Sequence, residues 1–411
     1  MGNFSIALSG LDADSVALNT IGNNLANLNT TAFKGQTTAF EDLFYQQIGQ
    51  SGSGDAIQVG AGTKVSGTST DFTEGTILPD ANANSSDVAL AGNGFFVVEQ
   101  GGVQSLTRAG NFQLSSGGNL ITQDGQEVLG YPAVNGVINQ NSSLTPITIP
   151  VGVNEGAQAT QNFSLTANLN SGATVGTTFS TPVTIFDSLG QSHTATVSYA
   201  KTATNTWNYT VSLPPGDASG APANNTGTLT FDTSGNLVSP AGSVANITFP
   251  GLTDGASDLS FNWNLNGSNG NPTISQLASA SSNNASTQDG FASGVYQSFT
   301  VDPSGVLTAQ FSNGRSSTIG QLAVATVANT EGLTVSGNNN FTTTGASGLA
   351  SVGVAGTGGR GTIDDGALEQ SNVNISTEFS DLIVAQRAFE ANSKTVTTFD
   401  TVSQDVIDLI H

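Results

Sequence analysis

The sequence has no cysteine, two histidines and few basic residues, and these shortages exclude several kinds of site. A chain without cysteine can form no disulfide, no thiolate nucleophile and no cysteine-ligated metal centre. No HExxH, GxSxG or phosphate-binding glycine loop occurs, and GAGTK at residues 60–64 has the wrong spacing for such a loop. We therefore predict no enzymatic activity, no catalytic or cofactor-binding residue, no metal site and no cofactor.

The few titratable candidates have simple interpretations. His193 alternates with its neighbours in a strand-like run, which is typical of a histidine on a strand face. The pairs Asp12/Asp14 and Asp364/Asp365 could serve glycoside hydrolysis if their carboxylates were held about 5 to 9 Å apart. We interpret the first pair as part of a solvated helix face and the second as favouring the positive end of a following helix.

The chain is also short of positive charge. Lys and Arg number 8 against 30 Asp and Glu, which gives a formal net charge of −22 at pH 7. Such a chain repels polyphosphates, and it has no polybasic cluster, so we predict no nucleic-acid partner and no binding to anionic membranes. No stretch reaches the roughly 18 apolar residues of a membrane span, which predicts no membrane insertion. The N-terminal residues lack the basic and apolar regions of a secretory signal, so any export is expected to use another route.

The residues that are abundant favour β-structure. Charged residues make up only 9% of the chain, whereas glycine alone numbers 50. This composition is typical of turn-rich sheets with polar outer faces, and a hydrophobic fraction of 36% argues against disorder. At 411 residues the chain is long enough for two to four domains.

Helical periodicity occurs only at the two ends of the chain. Apolar residues recur there at steps of three and four, as on one face of a helix. The N-terminal stripe comprises Phe4, Leu8, Leu11, Leu18, Ile21, Leu25 and Leu28. The C-terminal stripe comprises Ile375, Phe379, Leu382, Ile383, Phe389, Val396, Phe399, Val402, Val406 and Leu409. We predict a mainly β fold with helical termini, in which the two helices form a coiled-coil-like pair and two or more β-rich domains are nested in sequence between them.

Turn signals mark the strands between these ends. Asn-Gly pairs, which tolerate the positive φ of a type I′ hairpin, begin at residues 135, 266 and 313. A loose strand, turn and strand unit occurs three times, in residues 112–120, 231–237 and 299–307. The spacings are unequal, so a regular solenoid is not expected.

The two stripes predict self-association. A single pair of amphipathic helices leaves much apolar surface in water, and each buried apolar side chain contributes about 1.5 to 3 kcal/mol. We expect neighbouring copies of the chain to cover this surface. The alternative is a monomer in which the helix pair docks on its own sheet.

Several segments carry a family resemblance. NTIGNNLANLNTTAFKGQTTAFEDLFYQ at 19–46 resembles the N-terminal signature of flagellar axial proteins, the family of rod and hook subunits. ALAGNGFFVVEQ at 89–100 and LTRAGNFQLSSGGNLITQDGQEVLGY at 106–131 resemble the β domain that the family shares, and 302–333 is similar to its returning half. The stretch GALEQSNV…QRAFEAN within 366–410 resembles the C-terminal helix of the family.

The resemblance implies a domain organisation. Rod subunits are shorter, whereas a large inserted β domain is what a hook subunit carries, and nine of the twelve prolines lie in that insert. The expected parts are a terminal helical polymerisation domain (1–30 and 370–411), a connecting segment (31–70 and 355–369), a shared β domain (71–145 and 287–354) and an inserted outer β domain (146–286).

The resemblance also implies a function. It is that of an extracellular structural subunit that leaves unfolded through the flagellar type III export apparatus and polymerises beneath a cap into a tubular, flexible joint transmitting torque. Implied partners are other copies of the chain, the distal rod, the hook cap and the hook-filament junction proteins. Alternatives are a distal rod subunit, a β-rich extracellular adhesin or binding module, and a cell-wall-cleaving enzyme.

One position departs from the family pattern. Ala32 stands where these proteins usually have glycine. Because a positive φ costs alanine roughly 1 kcal/mol or more, we expect either that this turn is not left-handed or that Gly35 takes over the role.

Overall fold

A computed structural model describes residues 2–80 and 84–408 of the chain. Leu409, the last residue of the predicted C-terminal stripe, lies outside the described residues. The chain folds into two compact units. The first contains the residues up to Val151, Ser298–Ala309 and the residues from Ser317 onward, and the second contains Gly152–Gln297 and Gln310–Ser316.

Helices occur at the two ends, as the periodicity predicts. They are α1 (Gly2–Ala26) and α2 (Ile375–Asp408), and a short 3₁₀ turn covers Thr330–Gly332. Helix α1 ends two residues before Leu28, so the predicted helix was slightly too long at that end. Asn374 caps α2, since its Oδ1 accepts the amide hydrogens of Ser376 and Thr377.

The rest of the described chain consists of strands and turns. The strands of the first half are β1 Gln36–Asp42, β2 Gln46–Gln50, β3 Ala56–Val59, β4 Thr63–Thr70, β5 Ile77–Pro79, β6 Val88–Ala91, β7 Phe95–Gln100, β8 Val103–Thr107, β9 Gln113–Leu114, β10 Leu120–Ile121, β11 Glu127–Val134, β12 Val137–Ile138, β13 Thr145–Pro146, β14 Asn154–Glu155, β15 Asn162–Asn168, β16 Thr178–Phe186 and β17 Ser192–Ala203. Those of the second half are β18 Thr206–Ser212, β19 Thr226–Phe231, β20 Leu237–Ser239, β21 Val244–Phe249, β22 Leu259–Asn264, β23 Ile274–Ser275, β24 Ser282–Gln288, β25 Gly294–Val301, β26 Val306–Phe311, β27 Ser316–Thr326, β28 Thr334–Gly337, β29 Asn340–Thr342, β30 Ser351–Val354, β31 Thr362–Asp365 and β32 Ala367–Glu369.

The first unit is built on a sheet in the order β27-β11-β7-β8-β29-β28. Strand β7 begins with the apolar run Phe-Phe-Val-Val, and all four side chains are buried, because both faces of this strand are covered. Phe72, Phe95 and Phe341 form an aromatic cluster with ring centroids 5.1 to 5.8 Å apart. Two antiparallel ribbons, β1 with β4 and β2 with β3, lie between α1 and this sheet in sequence.

The second unit contains two five-stranded sheets that share one core. One has the order β16-β17-β18-β19-β20, and the other is β21-β22-β15-β23 with β24 beside β15. Burial alternates strictly along β18, because one of its faces packs on the core and the other meets solvent. Trp207 and Trp263, the two tryptophans of the chain, are fully buried in this core.

The three repeated units are confirmed as strand, turn and strand. They correspond to β9 and β10, β19 and β20, and β25 and β26, and the aromatic and aliphatic residues at their ends are buried. Among the Asn-Gly pairs, Asn135 and Gly136 both have positive φ between β11 and β12, as a type I′ turn requires. The pair at 266 begins a longer loop closed by an Asn266 to Pro272 bridge, so the prediction of a tight hairpin there was wrong.

The turn after α1 is left-handed at alanine itself. Ala32 has a φ of 54°, is buried, and donates its amide hydrogen to Glu369 O at 2.8 Å. Both sequence-based expectations for this turn were therefore wrong. The hydrogen bond to the returning C-terminal segment offsets part of the backbone strain.

Candidate self-association surface

Helices α1 and α2 pack against each other in antiparallel directions, as the terminal stripes predict. Asn24 Nδ2 donates to Glu378 Oε1 at 2.9 Å near one end of the pair. About 15 Å along α1, the length of ten helical residues, Asn392 Nδ2 donates to Asp14 Oδ2 at 2.9 Å. A β-carbon on Gly10 would lie 2.6 Å from Asn392 Nδ2, so the helices approach closely at this glycine.

The contacts described above form the seam between the helices, and they involve polar side chains and a glycine. The buried side chains described on α1 are Ala7, Ala13 and Asn24, and no residue of α2 is buried. Asp14 belongs to this seam, so its interpretation as part of a solvated face was wrong. None of the large apolar stripe residues whose burial the structure describes is fully buried in the single chain.

The structure places the predicted stripe residues as follows. Those half-buried are Leu11, Leu18, Ile21, Leu25, Leu28, Leu382, Val396 and Phe399. Those exposed are Leu8, Ile375, Phe379, Ile383, Phe389, Val402 and Val406. Phe4 lies in α1.

Helix α2 extends past the start of α1. With residue 24 opposite 378 and residue 14 opposite 392, the beginning of α1 lies opposite about residue 400 in an antiparallel pair. Every residue from 401 to 408 is exposed, which agrees with this register. The last two turns of the helix, residues 401–408, are not covered by any other part of the chain that the structure describes.

One side of α1 is covered by the β1 and β4 ribbon. Thr38 Oγ1 donates to Thr20 Oγ1 at 3.0 Å, and the amide of Thr63 donates to Ser9 Oγ at 3.3 Å. The neighbouring β2 and β3 hairpin has no such cover. The exposed apolar side chains of this hairpin and of the residues just before it are Phe44, which is 95% exposed, with Tyr45, Ile48, Ile57 and Val59.

A buried ion cluster holds the two chain ends together where they leave the β sheet. Lys34 Nζ donates to Glu369 Oε1 at 2.6 Å, and Arg108 Nε donates to Glu369 Oε2 at 3.0 Å. The side chains of Lys34 and Glu369 are 1% and 0% exposed. Burial lowers the pKa of Lys34 below its usual value, against the opposing effect of the Glu369 carboxylate.

Backbone groups complete this cluster. Arg108 also donates to the carbonyl oxygens of Leu90, Gly92 and Gly94, and Lys34 donates to Thr73 O at 2.7 Å. Every charge is therefore paired and hydrogen-bonded, which is the condition for a stable buried ion group.

Asn372, just before α2, is a second residue that links the C-terminal segment to the segment after α1. Its Oδ1 accepts the amide hydrogen of Gly35 at 2.8 Å, and its Nδ2 donates to Asp71 O at 2.8 Å. Sequence reasoning missed Asn372 and the ion cluster as functional residues, although Lys34, Arg108 and Glu369 lie in the quoted family segments. Because the chain has only 8 basic residues, each lysine or arginine in these segments could have been considered as a candidate for a specific ion pair.

The remaining sequence candidates lie elsewhere. Asp365 is in β31 and its carboxylate accepts the amide hydrogen of Val301, so the acidic pair at 364 and 365 does not lie at the start of α2 as predicted. Among the described residues no helix is both long and apolar enough to cross a membrane.

Known proteins resemble the chain over its whole length. It is 35% identical over 421 residues to the flagellar hook protein FlgE of Escherichia coli (strain K12), and the match covers 99% of each chain. The chain belongs to the flagellar hook protein family. The FlgE of Salmonella typhimurium is 36% identical, with 99% of this chain and 100% of that protein covered, and the FlgE of Treponema pallidum is 32% identical over 98% of both.

Models of individual domains of the hook protein family match successive segments of the chain. The flagella basal body rod protein model matches residues 4–34, and the flagellar hook protein FlgE/F/G D1 domain matches 89–168. The flagellar basal body protein FlaE D2 domain matches 166–291, and the flagellar basal body rod FlgEFG protein C-terminal model matches 364–409. The crystal structure of Helicobacter pylori flagellar hook protein FlgE2 shares the fold, with a TM-score of 0.54 and 15% identity over 71% of this chain and all of that one.

These findings identify the protein as a structural subunit of the bacterial flagellar hook. Membership of the family implies polymerisation into the hook, association with basal-body components and an extracellular location in the hook and basal body.

Proposed function

We propose that the protein polymerises through the stripes of α1 and α2 into a tubular, flexible joint that transmits torque from rod to filament. The observation that supports this most strongly is that α2 has no buried residue although it carries a continuous apolar stripe. Phe379 and Ile383 are 50% and 58% exposed in the single chain. Covering such side chains with a neighbouring copy contributes about 1.5 to 3 kcal/mol each.

The proposed division of labour follows the domain organisation expected from the sequence. Residues 1–30 and 370–411 form the inner, polymerising layer, and 146–286 form an outer layer whose polar, weakly charged surface lets neighbouring subunits slide. Contacts through hydroxyls, amides and water are close in energy and exchange readily. Inner contacts then hold while outer contacts rearrange as the joint bends.

Export and partners belong to the same proposal. The chain leaves through the type III export apparatus, adds beneath the hook cap, and meets the distal rod and the hook-filament junction proteins at the two ends of the polymer. It carries no enzymatic activity. A chain without cysteine suits this route, because nothing in it forms wrong disulfides outside the cell.

The test is assembly of full-length protein followed by electron microscopy and sedimentation. The double variant Ile383→Gln/Val406→Gln removes two exposed stripe residues and keeps good helix formers. The control is Val175→Gln, which changes an apolar residue of the second unit that is at least as exposed as Ile383 and Val406. We expect the control to polymerise like the parent and the double variant to remain monomeric with unchanged helix content by circular dichroism. Polymerisation of the double variant at the parent's critical concentration would contradict the proposal.

A further inference from the structure

The second unit contains an aspartate turn that differs from two otherwise similar turns. In each turn one carboxylate oxygen accepts the amide hydrogens two and four residues ahead, at 2.8 to 3.0 Å, and the turns begin at Asp187, Asp232 and Asp302. The second oxygen of Asp232 accepts from Asn236 within its own turn. The second oxygen of Asp187 instead lies 3.1 Å from His193 Nε2.

Three carboxylates converge on this histidine. His193 Nε2 lies 3.1 Å from Asp187 Oδ2 and 3.4 Å from Asp254 Oδ2, and its Nδ1 lies 3.1 Å from Asp217 Oδ2. The side chains of His193 and Asp187 are 7% and 0% exposed. The ligand atoms of Asp187, His193 and Asp254 all lie within 4.8 Å of one another.

The loops that carry these groups are fastened to each other. The amide of Ser257 donates to Ser188 Oγ at 3.0 Å, and the amide of Thr253 donates to Asp217 O at 3.0 Å. The other oxygen of Asp254 accepts the amide hydrogen of Ala256. Both Asp187 and Asp254 therefore have one oxygen occupied by the backbone and the other directed at Nε2.

A proton on Nε2 can serve only one of the two oxygens that face it. Among the described residues no lysine or arginine forms an ion pair with these carboxylates. A cation between the three ligand atoms satisfies both oxygens and the nitrogen at once. Ligands held about 2.0 to 2.1 Å from a tetrahedral zinc ion are about 3.3 Å apart. The two distances from His193 Nε2, 3.1 and 3.4 Å, are close to this value, and the two carboxylate oxygens lie within 4.8 Å of each other.

Asp217 contacts His193 at its other ring nitrogen, Nδ1. Histidines that bind metals usually donate their second ring N–H to a carboxylate, which fixes the tautomer and leaves the other nitrogen free. Asp217 Oδ2 accepts that hydrogen when the proton is on Nδ1. One imidazole nitrogen with two carboxylates favours zinc or a similar transition metal over calcium or magnesium, which prefer oxygen ligands alone.

We propose that His193, Asp187 and Asp254 bind one divalent transition-metal ion of the zinc type, with Asp217 orienting the histidine and water filling the fourth position. The site would join the turn between β16 and β17 to the loop before β22 and so stiffen this end of the second unit. It is structural, and it is separate from the proposed polymerisation surface. No metal site was predicted from the sequence, because the chain has no cysteine and no HExxH motif. The aspartates that face His193 come from separate turns and loops of the second unit.

The test uses full-length protein stripped with a chelator and titrated with Zn²⁺ by calorimetry and with Co²⁺ by visible absorption. We expect one ion per chain, tetrahedral Co²⁺ bands, and a higher melting temperature with Zn²⁺. Asp254→Asn and His193→Gln should each weaken binding at least about tenfold. Asp232→Asn, which changes the matching turn that has no histidine, should bind like the parent.

The proposal is overturned if neither ion binds, if binding is equal in Asp254→Asn and the parent, or if Co²⁺ shows only octahedral bands. The first result would mean an imidazolium held by carboxylates with no metal. Circular dichroism of the metal-free variants checks folding. Asp254 is partly exposed, so its substitution provides the decisive comparison if His193→Gln fails to fold.

Discussion

Lys34 Nζ lies 2.6 Å from Glu369 Oε1 inside the protein, and these two residues are 335 positions apart in the chain. Together with Arg108 they connect the segment that follows α1 to the segment that precedes α2. The orientation in which both helices leave the β sheet of the first unit therefore depends on a buried ion cluster.

Removing one member of this cluster should be costly. In Lys34→Met the Glu369 carboxylate stays buried and loses a partner, so we expect the free energy of unfolding to fall by about 3 to 5 kcal/mol. The control is Lys64→Met, because Lys64 and Glu41 form an ion pair of the same 2.6 Å length with side chains 56% and 44% exposed. That change should cost far less, because solvent screens an exposed ion pair. Urea unfolding measures both, and equal losses would show that burial of the first pair has no special role.

Two glycines of α1 should respond in opposite ways to the same substitution. A β-carbon on Gly10 would meet Asn392, whereas one on Gly22 meets nothing within 4 Å. Gly22→Leu should stabilise the helix by about 0.5 to 1 kcal/mol through better helix propensity. Gly10→Leu should destabilise by about 1 to 3 kcal/mol because it forces the helices apart. Thermal unfolding at concentrations below assembly measures the difference, and a stabilising Gly10→Leu would contradict the close antiparallel seam.

The stability of the helix pair should depend on pH through the ionisation of Glu378. Burial raises the pKa of this carboxyl, and the charge of Asp381 adds to the rise, against the hydrogen bond from Asn24. A raised pKa in the folded state means that this contribution to stability is fully present below the ordinary glutamate pKa of 4.5 and is lost as pH rises through the folded pKa. Glu378→Gln keeps an acceptor for Asn24 but cannot ionise. We expect this variant to be more stable than the parent at pH 7, with the gap closing as pH falls; a gap that widens in acid would reverse the sign of the argument.

Local patterns predicted the elements of this fold better than their contacts. The helix periodicity, the strand units at 112–120, 231–237 and 299–307, and the Asn135 turn all depend on residues close in sequence, and the structure confirms them. The left-handed conformation of Ala32 was missed because its compensating hydrogen bond comes from Glu369. Likewise, the strand-face position of His193 could be predicted from its neighbours in sequence. The carboxylates around it could not, because they come from three separate loops.

The account depends most on the claim that the stripes of α1 and α2 are completed by neighbouring copies. Amide hydrogen exchange across residues 375–408, measured on full-length protein as a function of concentration, tests this directly. We predict weak protection of α2 in dilute monomer and strong protection once the chain assembles. A preparation that stays monomeric at high concentration with α2 already fully protected would contradict the account.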